Sequence, residues 1–385
     1  MVNGVKKGYY ICMISDSASS GVVKKIAMQV AELQKKFTIE LIKVSKIQRG
    51  FLKRIWGLFF WASNQYDYEH LFGQLDNPDF IYMRYPLTDR KQIIFLQRIR
   101  ETYPRCRIII EIPTYPYEGE KWRGTNLFFL IKDIYYRKQL KQYVSRFVTY
   151  SLDETIWDVP TIRTMNGIDV NSIKTIRPEK HSENEIHMIG VAMLQKHHGF
   201  ERVIEGIKQY YTAGTGKDLR RIIFHIVGDG PEKKKYEKSV QKYSLTEHVI
   251  FHGVLSGENL DKIYNQCDLA VASLGLFKLK LSYISTLKTR EYLAKGIPII
   301  YACQDSALNQ DDKYCLEVSN DSRPIDIDSV IDFCDRIYDG SYDKKLETIK
   351  CIRKYAEKTV SMDKVMQPII QYIENEIIIN ENMKR

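Results

Sequence analysis

Short apolar runs alternate with amphipathic stretches along nearly the whole chain, and that pattern fits parallel β-sheets whose strands are joined by crossover helices. In the first half the runs are YYICMI, TIELIKV, FIYMRY, RIIIEI and RFVTYS, with helices predicted over VKKIAMQVAELQKK and TDRKQIIFLQRIRETY. In the second half they are IHMIGVA, RIIFHIVG, HVIFHG, DLAVAS, GIPIIYA and YCLEVS. The class is α/β. At 385 residues the chain exceeds what one hydrophobic core usually serves, so two doubly wound domains are expected. The polar stretch NGIDVNSIKTIRPEKHSENE, without a strand pattern after Asn166-Gly167, is the linker by composition, giving domains over 1–168 and 169–360. In the tail, Met366, Ile369, Ile370 and Ile373 recur at helical spacing around Pro368, and such a helix needs a surface to cover.

Composition excludes several classes. With 44% hydrophobic and 28% charged residues, the chain reads as an ordinary soluble enzyme and not as a disordered segment. Seven cysteines, odd in number and without a CxxC pair, argue against a disulfide framework or zinc knuckle and for a reducing cytoplasm. YYICMI is too short for a signal-peptide core, and no apolar stretch approaches the roughly 18 residues of a membrane span. The net charge of +10 favours anionic partners. Nucleic acid is not expected among them, because the positive charge is dispersed outside one segment and no recognition module is visible.

Ligands of doubly wound folds sit at the carboxyl ends of strands, where helix N-termini offer free N–H groups to anions. Three strand-to-helix loops therefore matter. SDSASSGVVKK is small and holds Gly21, whose backbone can approach a ligand closely, although a plain turn with a serine cap reads equally well. GDGP places Gly228 and Gly230 around an aspartate, with a tight turn as the alternative. In STLKTREYLAKGIPII, Ser285 or Thr286 caps a helix ending at Lys295, and Gly296 and Pro298 stop it. The N–H groups of Thr286, Leu287 and Lys288 then face the crevice, Lys288 and Arg290 are candidates to neutralise a diphosphate, and Glu291 can accept from ribose hydroxyls. The alternative for Arg290 and Glu291 is a surface pair of little energetic value.

Taken in order, VAMLQKHHGFERVIEGI, FHIVGDGPE, VIFHGVLSGENLDKIYNQCDLAVAS and TREYLAKGIPII, with SGVVKKIAMQ and IRTMNGID in the first half, resemble the retaining group 1 glycosyltransferases (carbohydrate-active family 4) of the GT-B fold. The resemblance implies two Rossmann-like domains facing across a cleft, with the final helix, 361–385, crossing back to the first. It implies a nucleotide-diphosphate sugar bound by the second domain, an acceptor bound by the first, and no cofactor or metal. Donor contacts would then be Gly21, Lys196, His198, Val254, Leu255, Thr286, Leu287, Lys288, Arg290 and Glu291, with Lys288, Arg290 and Glu291 as the catalytic set. The chain departs from the family where Tyr283 replaces the first glutamate of a pair and Met193 an arginine, and Lys278 and Lys280 lie in an enlarged loop. EIPTYPYEGE stands where the family often has a histidine; its Tyr115, Tyr117 and Glu118 are acceptor-side candidates, with aromatic packing the alternative for the tyrosines. The sub-pattern S-x-LKTREY-LA-x-G looks like that of bacterial capsule and exopolysaccharide enzymes.

The segment KVSKIQRGFLKRIWGLFFWA joins cations, Lys53 and Arg54 among them, to Trp56, Phe60 and Trp61, the composition of an interfacial helix on an anionic leaflet. Packing of those aromatics in a core is the alternative. The expectation is thus a cytoplasmic glycosyltransferase, peripheral on the inner face of a bacterial plasma membrane, adding a sugar to a lipid-linked glycan of a surface polysaccharide. A non-catalytic subunit of the same fold, binding a partner enzyme or glycan, is the competing reading, prompted by Tyr283 and Met193.

Overall fold

The computed structural model describes residues 5–13, 20–44, 66–117, 126–179, 182, 184–214, 219–308 and 313–375. The chain divides into two compact units, residues 1–167 with 362–385, and residues 168–361.

The first unit runs β1 (Lys7–Cys12), α1 (Ser20–Gln34), β2 (Thr38–Lys43), α2 (Tyr68–Gly73), β3 (Phe80–Arg84), α3 (Arg90–Thr102), β4 (Arg107–Ile112), α4 (Asn126–Tyr136), β5 (Arg146–Thr149), β6 (Thr155–Ile156) and β7 (Val159–Arg163). The sheet order is β2-β1-β3-β4-β5-β7-β6, parallel except between β6 and β7. RIIIEI of β4 is buried at every position, as a central parallel strand covered on both faces must be. That burial takes in a charge, Glu111. Its carboxylate accepts from Lys25 at 3.1 Å, Gln29 at 2.7 Å and Tyr82 at 2.6 Å. Burial alone would push Glu111 up, but Lys25, then Arg84 and these hydrogen bonds, overrule it and hold it at about 2.

The second unit runs β8 (Glu185–Val191), α5 (Glu201–Ala213), β9 (Arg221–Val227), α6 (Lys233–Lys242), β10 (Val249–Gly253), α7 (Gly257–Asn265), β11 (Leu269–Val271), β12 (Tyr283–Ile284), α8 (Leu287–Lys295), β13 (Ile299–Tyr301), β14 (Gln304–Asp305), β15 (Cys315–Glu317), α9 (Ile327–Tyr338) and α10 (Tyr342–Thr359). Its main sheet is parallel, in the order β10-β9-β8-β11-β13-β15, and β12 pairs with β14 apart from it. The chain winds outward from β8 to β10, then returns to place β11 on the other side of β8. The connections leaving β8 and β11 therefore run to opposite sides along the sheet, which makes the ends of these two strands the topological switch point.

The last described helix, α11 (Met362–Glu374), belongs to the first unit. Met362, Val365, Met366, Ile369, Ile370 and Ile373 are buried in one cluster with Tyr10, Ile26, Val30 and Phe80. Its carbonyl end is held by charge: the Arg107 guanidinium donates to the carbonyls of Tyr372, Ile373 and Asn375, and Lys6 Nζ to that of Ile373 at 2.6 Å.

Candidate active site

The crevice at the ends of β8 and β11 is assembled by close backbone contacts that only glycine allows. A Cβ on Gly228, at φ +127°, would lie 1.8 Å from the Ala192 carbonyl oxygen, and one on Gly230, at φ +156°, 2.4 Å from that of Leu194. The GDGP stretch is thus a tight turn that locks the loop after β8, with Leu194 N–H donating to the Asp229 carbonyl at 2.8 Å and Glu232 N–H to that of Leu194 at 3.1 Å. Beyond it, a 3-10 turn, Lys196–His198, ends in Gly199 at φ +66°. The loop after β11 closes on this turn: Leu274 N–H donates to the His198 carbonyl at 2.8 Å and Gly275 N–H to that of His197 at 3.1 Å.

On the other side of the crevice, Thr286 is the N-cap of α8 and makes no side-chain capping bond, while Gly296 ends the helix in the left-handed conformation. Lys288 lies on the first turn. Its ammonium nitrogen is out of contact with solvent and has no hydrogen-bond partner. It sits 5.6 Å from the centre of the Phe200 ring. Burial brings its pKa down to about 7, against the opposing pull of Glu291. His198 is buried nearby, and its Nδ1 also lacks a partner. Burial, then Lys288 and His197, drives that imidazole down to about 2, so it is neutral. Enclosed donors and acceptors are ordinarily satisfied. Two buried polar groups without a partner, one of them a cation, thus lie together at a helix N-terminus.

Arg290 does not meet the expectation of a cation facing a ligand. It is fully buried, and its guanidinium is bound by the Asp305 carboxylate, Ser306 Oγ, Thr289 Oγ1 at 2.7 Å, the Thr286 carbonyl at 2.9 Å and Ser285 Oγ at 3.0 Å. It braces the residues before α8 against β14. Nor is it a surface pair with Glu291, which is exposed. Asp305, the residue that fixes this arrangement, carries no sequence signal because it lies 15 residues away on a two-residue strand. Lys278 is likewise engaged, by Glu201 and, at 3.0 Å, the Lys196 carbonyl, whereas Lys280 is exposed.

Of the remaining donor candidates, Lys196 is exposed, Leu255 is half-buried and Val254 is 76% exposed just past β10. Leu287 is half-buried on the same helical turn as Lys288. Gly21 lies in the first turn of α1, in the other unit. On the acceptor side, Tyr115 is half-buried against Trp157, with ring centres 6.0 Å apart. Tyr117 is a packing residue and not an exposed contact: it is buried, donates its hydroxyl to Asp133 and is pushed upward in pKa, first by burial and then by that carboxylate. Glu118 and the segment with Lys53, Arg54, Trp56, Phe60 and Trp61 lie outside the described residues. Among the described residues no group of His, Cys, Asp and Glu side chains is arranged to hold a metal ion, and no helix is long and apolar enough to cross a membrane.

Residues 172–276 match the family described as glycosyl transferases group 1. No curated protein sequence matches the chain. Among solved structures, a glycosyltransferase from Rickettsia africae ESF-5 superposes with a TM-score of 0.63 at 13% identity, covering 96% of this chain and 100% of that one. HepE of Anabaena, solved with UDP, gives 0.61 at 12% identity over 95% and 99% of the two chains. The lipopolysaccharide outer core galactosyltransferase WaaB gives 0.55 at 14% identity over 95% and 99%. These likenesses establish the fold: the two Rossmann-like units are those of GT-B glycosyltransferases. Together with the family match over the front of the second unit, they support a group 1 glycosyltransferase.

Proposed function

We propose that the protein moves a sugar from a nucleotide-diphosphate sugar to a glycan acceptor, with retention at the anomeric carbon and without a bound metal. One observation carries this reading. The ammonium of Lys288 is enclosed without a partner at the N-terminus of α8, and a diphosphate seated there satisfies the ammonium, the helix's first N–H groups and its dipole together. HepE, of the same fold, has been solved with UDP-glucose, which supports a nucleotide sugar as donor.

In this reading the anomeric C–O bond to the diphosphate breaks as the acceptor oxygen forms its own bond to the same carbon. The acceptor's proton passes to the departing phosphate oxygen. The protein's share is positional and electrostatic: Lys288 and the helix N-terminus receive the charge that develops on the leaving group, and the neutral His198 offers a hydrogen-bonding nitrogen beside it. Glu291, exposed one turn into α8, holds the ribose hydroxyls. Arg290 acts indirectly, by fixing the residues that precede the helix. The acceptor is a lipid-linked glycan of a surface polysaccharide, met at the inner face of a bacterial plasma membrane; the likeness to a lipopolysaccharide outer core galactosyltransferase supports the surface polysaccharide alone.

A thermal-shift screen against UDP, GDP, dTDP, CMP and their sugars tests the donor site. At a hundredfold its dissociation constant, a bound nucleotide stabilises the fold by about 2.7 kcal/mol. The shift is expected for one nucleoside diphosphate and is expected to fall by about half or more in Lys288→Met. A nucleotide that stabilises wild type and variant equally sinks the assignment, and stabilisation by none favours a non-catalytic subunit.

A further inference from the structure

Helix α4, Asn126–Tyr136, turns an apolar stripe outward. Phe128, Ile131 and Tyr135, spaced three and four residues apart on one face, are 49%, 48% and 55% exposed. The opposite face carries Leu130, Asp133 and Tyr136 into the unit. Among the described residues the other large exposed apolar side chains, Ile94 aside, are scattered singly, so this stripe is a feature and not background.

Its electrostatic surroundings select the partner. The helix holds one acidic residue, Asp133, and that carboxylate is wholly buried, accepting from Tyr85, Tyr117 and the Thr88 N–H. The outward positions that follow in the 3-10 segment Arg137–Gln142 include Lys138 and Lys141, both exposed. Arg90, exposed at the start of α3, is close enough to act on the Tyr136 hydroxyl, and Ile94, one turn further along, is 45% exposed. Neither Arg90 nor Lys138 forms an ion pair among the described residues, while Lys141 pairs with Asp158. A stripe of one aliphatic and two aromatic side chains, bordered by cations with no acid on the helix's outward face, is the arrangement that inserts at an acyl–headgroup boundary. The cations Arg90 and Lys138, unpaired among the described residues, complement the negative charge of an anionic leaflet.

We propose that this face of α4, with Arg90 and Lys138 at its rim, seats the N-terminal unit on an anionic lipid surface. The inference deepens the membrane-facing part of the function proposed above, yet it stands on the first unit alone and does not depend on the donor site.

Sedimentation of the full chain with phosphatidylcholine vesicles containing 30% phosphatidylglycerol tests it, against pure phosphatidylcholine vesicles and against 0.5 M salt. The triple variant Phe128→Ser, Ile131→Ser, Tyr135→Ser is expected to lose at least tenfold in partitioning onto the anionic vesicles. Arg90→Glu with Lys138→Glu is expected to lose a comparable factor at low salt only. Both variants leave the basic aromatic segment before residue 62 intact, so the loss reports on α4. Unchanged melting curves of both variants without nucleotide show that the fold survives, so the outcome is read whether or not the donor reading holds. Wild-type binding unchanged by the triple substitution, no wild-type binding to anionic vesicles, or a wild-type dimer that the triple variant converts to monomer would each overturn the proposal.

Discussion

His187 and His225 stack across neighbouring strands with ring centres 5.3 Å apart and share a 3.0 Å N···N hydrogen bond. His225 meets His252 in the same way at 2.9 Å, and His187 reaches the Glu185 carboxylate at 3.4 Å. Burial, then His187 and His252, lowers the pKa of His225 to about 3 despite Asp268. Between pH 6.5 and about 3 the unfolded chain therefore binds a proton that the folded chain refuses. The stability from this group is complete above pH 6.5 and drains away as pH falls. The expected slope is on the order of 1.4 kcal/mol per pH unit for each such histidine. Melting curves from pH 7 to 4 should show it, and His225→Gln should flatten the slope while leaving the share of His198, which is shifted in the same direction.

Lys288 makes two opposite contributions. Its enclosed, unpartnered ammonium weighs against the free protein, so Lys288→Met should raise the unfolding midpoint by about 1 kcal/mol equivalent while weakening nucleoside diphosphate binding by tenfold or more. Because its pKa stands near 7 and a phosphate would raise it, binding should weaken as pH climbs from 7 to 9, by up to tenfold per unit. Calorimetry in buffers of differing ionisation enthalpy should register proton uptake by wild type and none by the variant.

Breaking the pair of Arg290 and Asp305 should be costly on either side, since each is completely buried. Arg290→Ala or Asp305→Ala leaves an unmatched charge and should cost about 3–5 kcal/mol in chemical denaturation. Arg290→Lys should not restore stability, because an ammonium cannot replace a fork that reaches Asp305, Ser285 and Ser306 together. Equal stability of the lysine variant would show that charge alone suffices.

Gly228→Ala should damage binding more than folding. The added methyl must displace the Ala192 carbonyl, and with it the loop that positions His198. A strained conformation of this kind costs about 1–3 kcal/mol. Loss of the nucleotide-induced shift in a still-cooperative protein is the expected result; intact nucleotide binding would dissociate that loop from the site.

Much of the fold was legible because parallel strands buried on two faces write near-continuous apolar runs. RIIIEI and RIIFHIV stand where the pattern put them. The hairpin of β6 and β7 was not, since Pro160 and a pair of left-handed residues, Trp157 and Asp158, interrupt any alternation. At the site, the stop placed the end of α8 at Lys295, and the cap placed its start to within one residue. The sequence could not say which of its cations turns inward to a carboxylate. Lys288 and Arg290 differ by two positions, about 200° around the helix, and Asp305 decides between them from outside the motif.

The clamp that Arg107 and Lys6 place on the end of α11 has a consequence for synthesis. The groups that complete the hydrophobic cover over α1 emerge from the ribosome only after the whole of the second unit. The nascent N-terminal sheet must wait, with Ile26 and Val30 uncovered, while a neighbour encoded later matures first. The order of completion thus runs against the order of translation, and a nonsense codon anywhere before Met362 would strand the earliest-made part of the molecule as surely as the last.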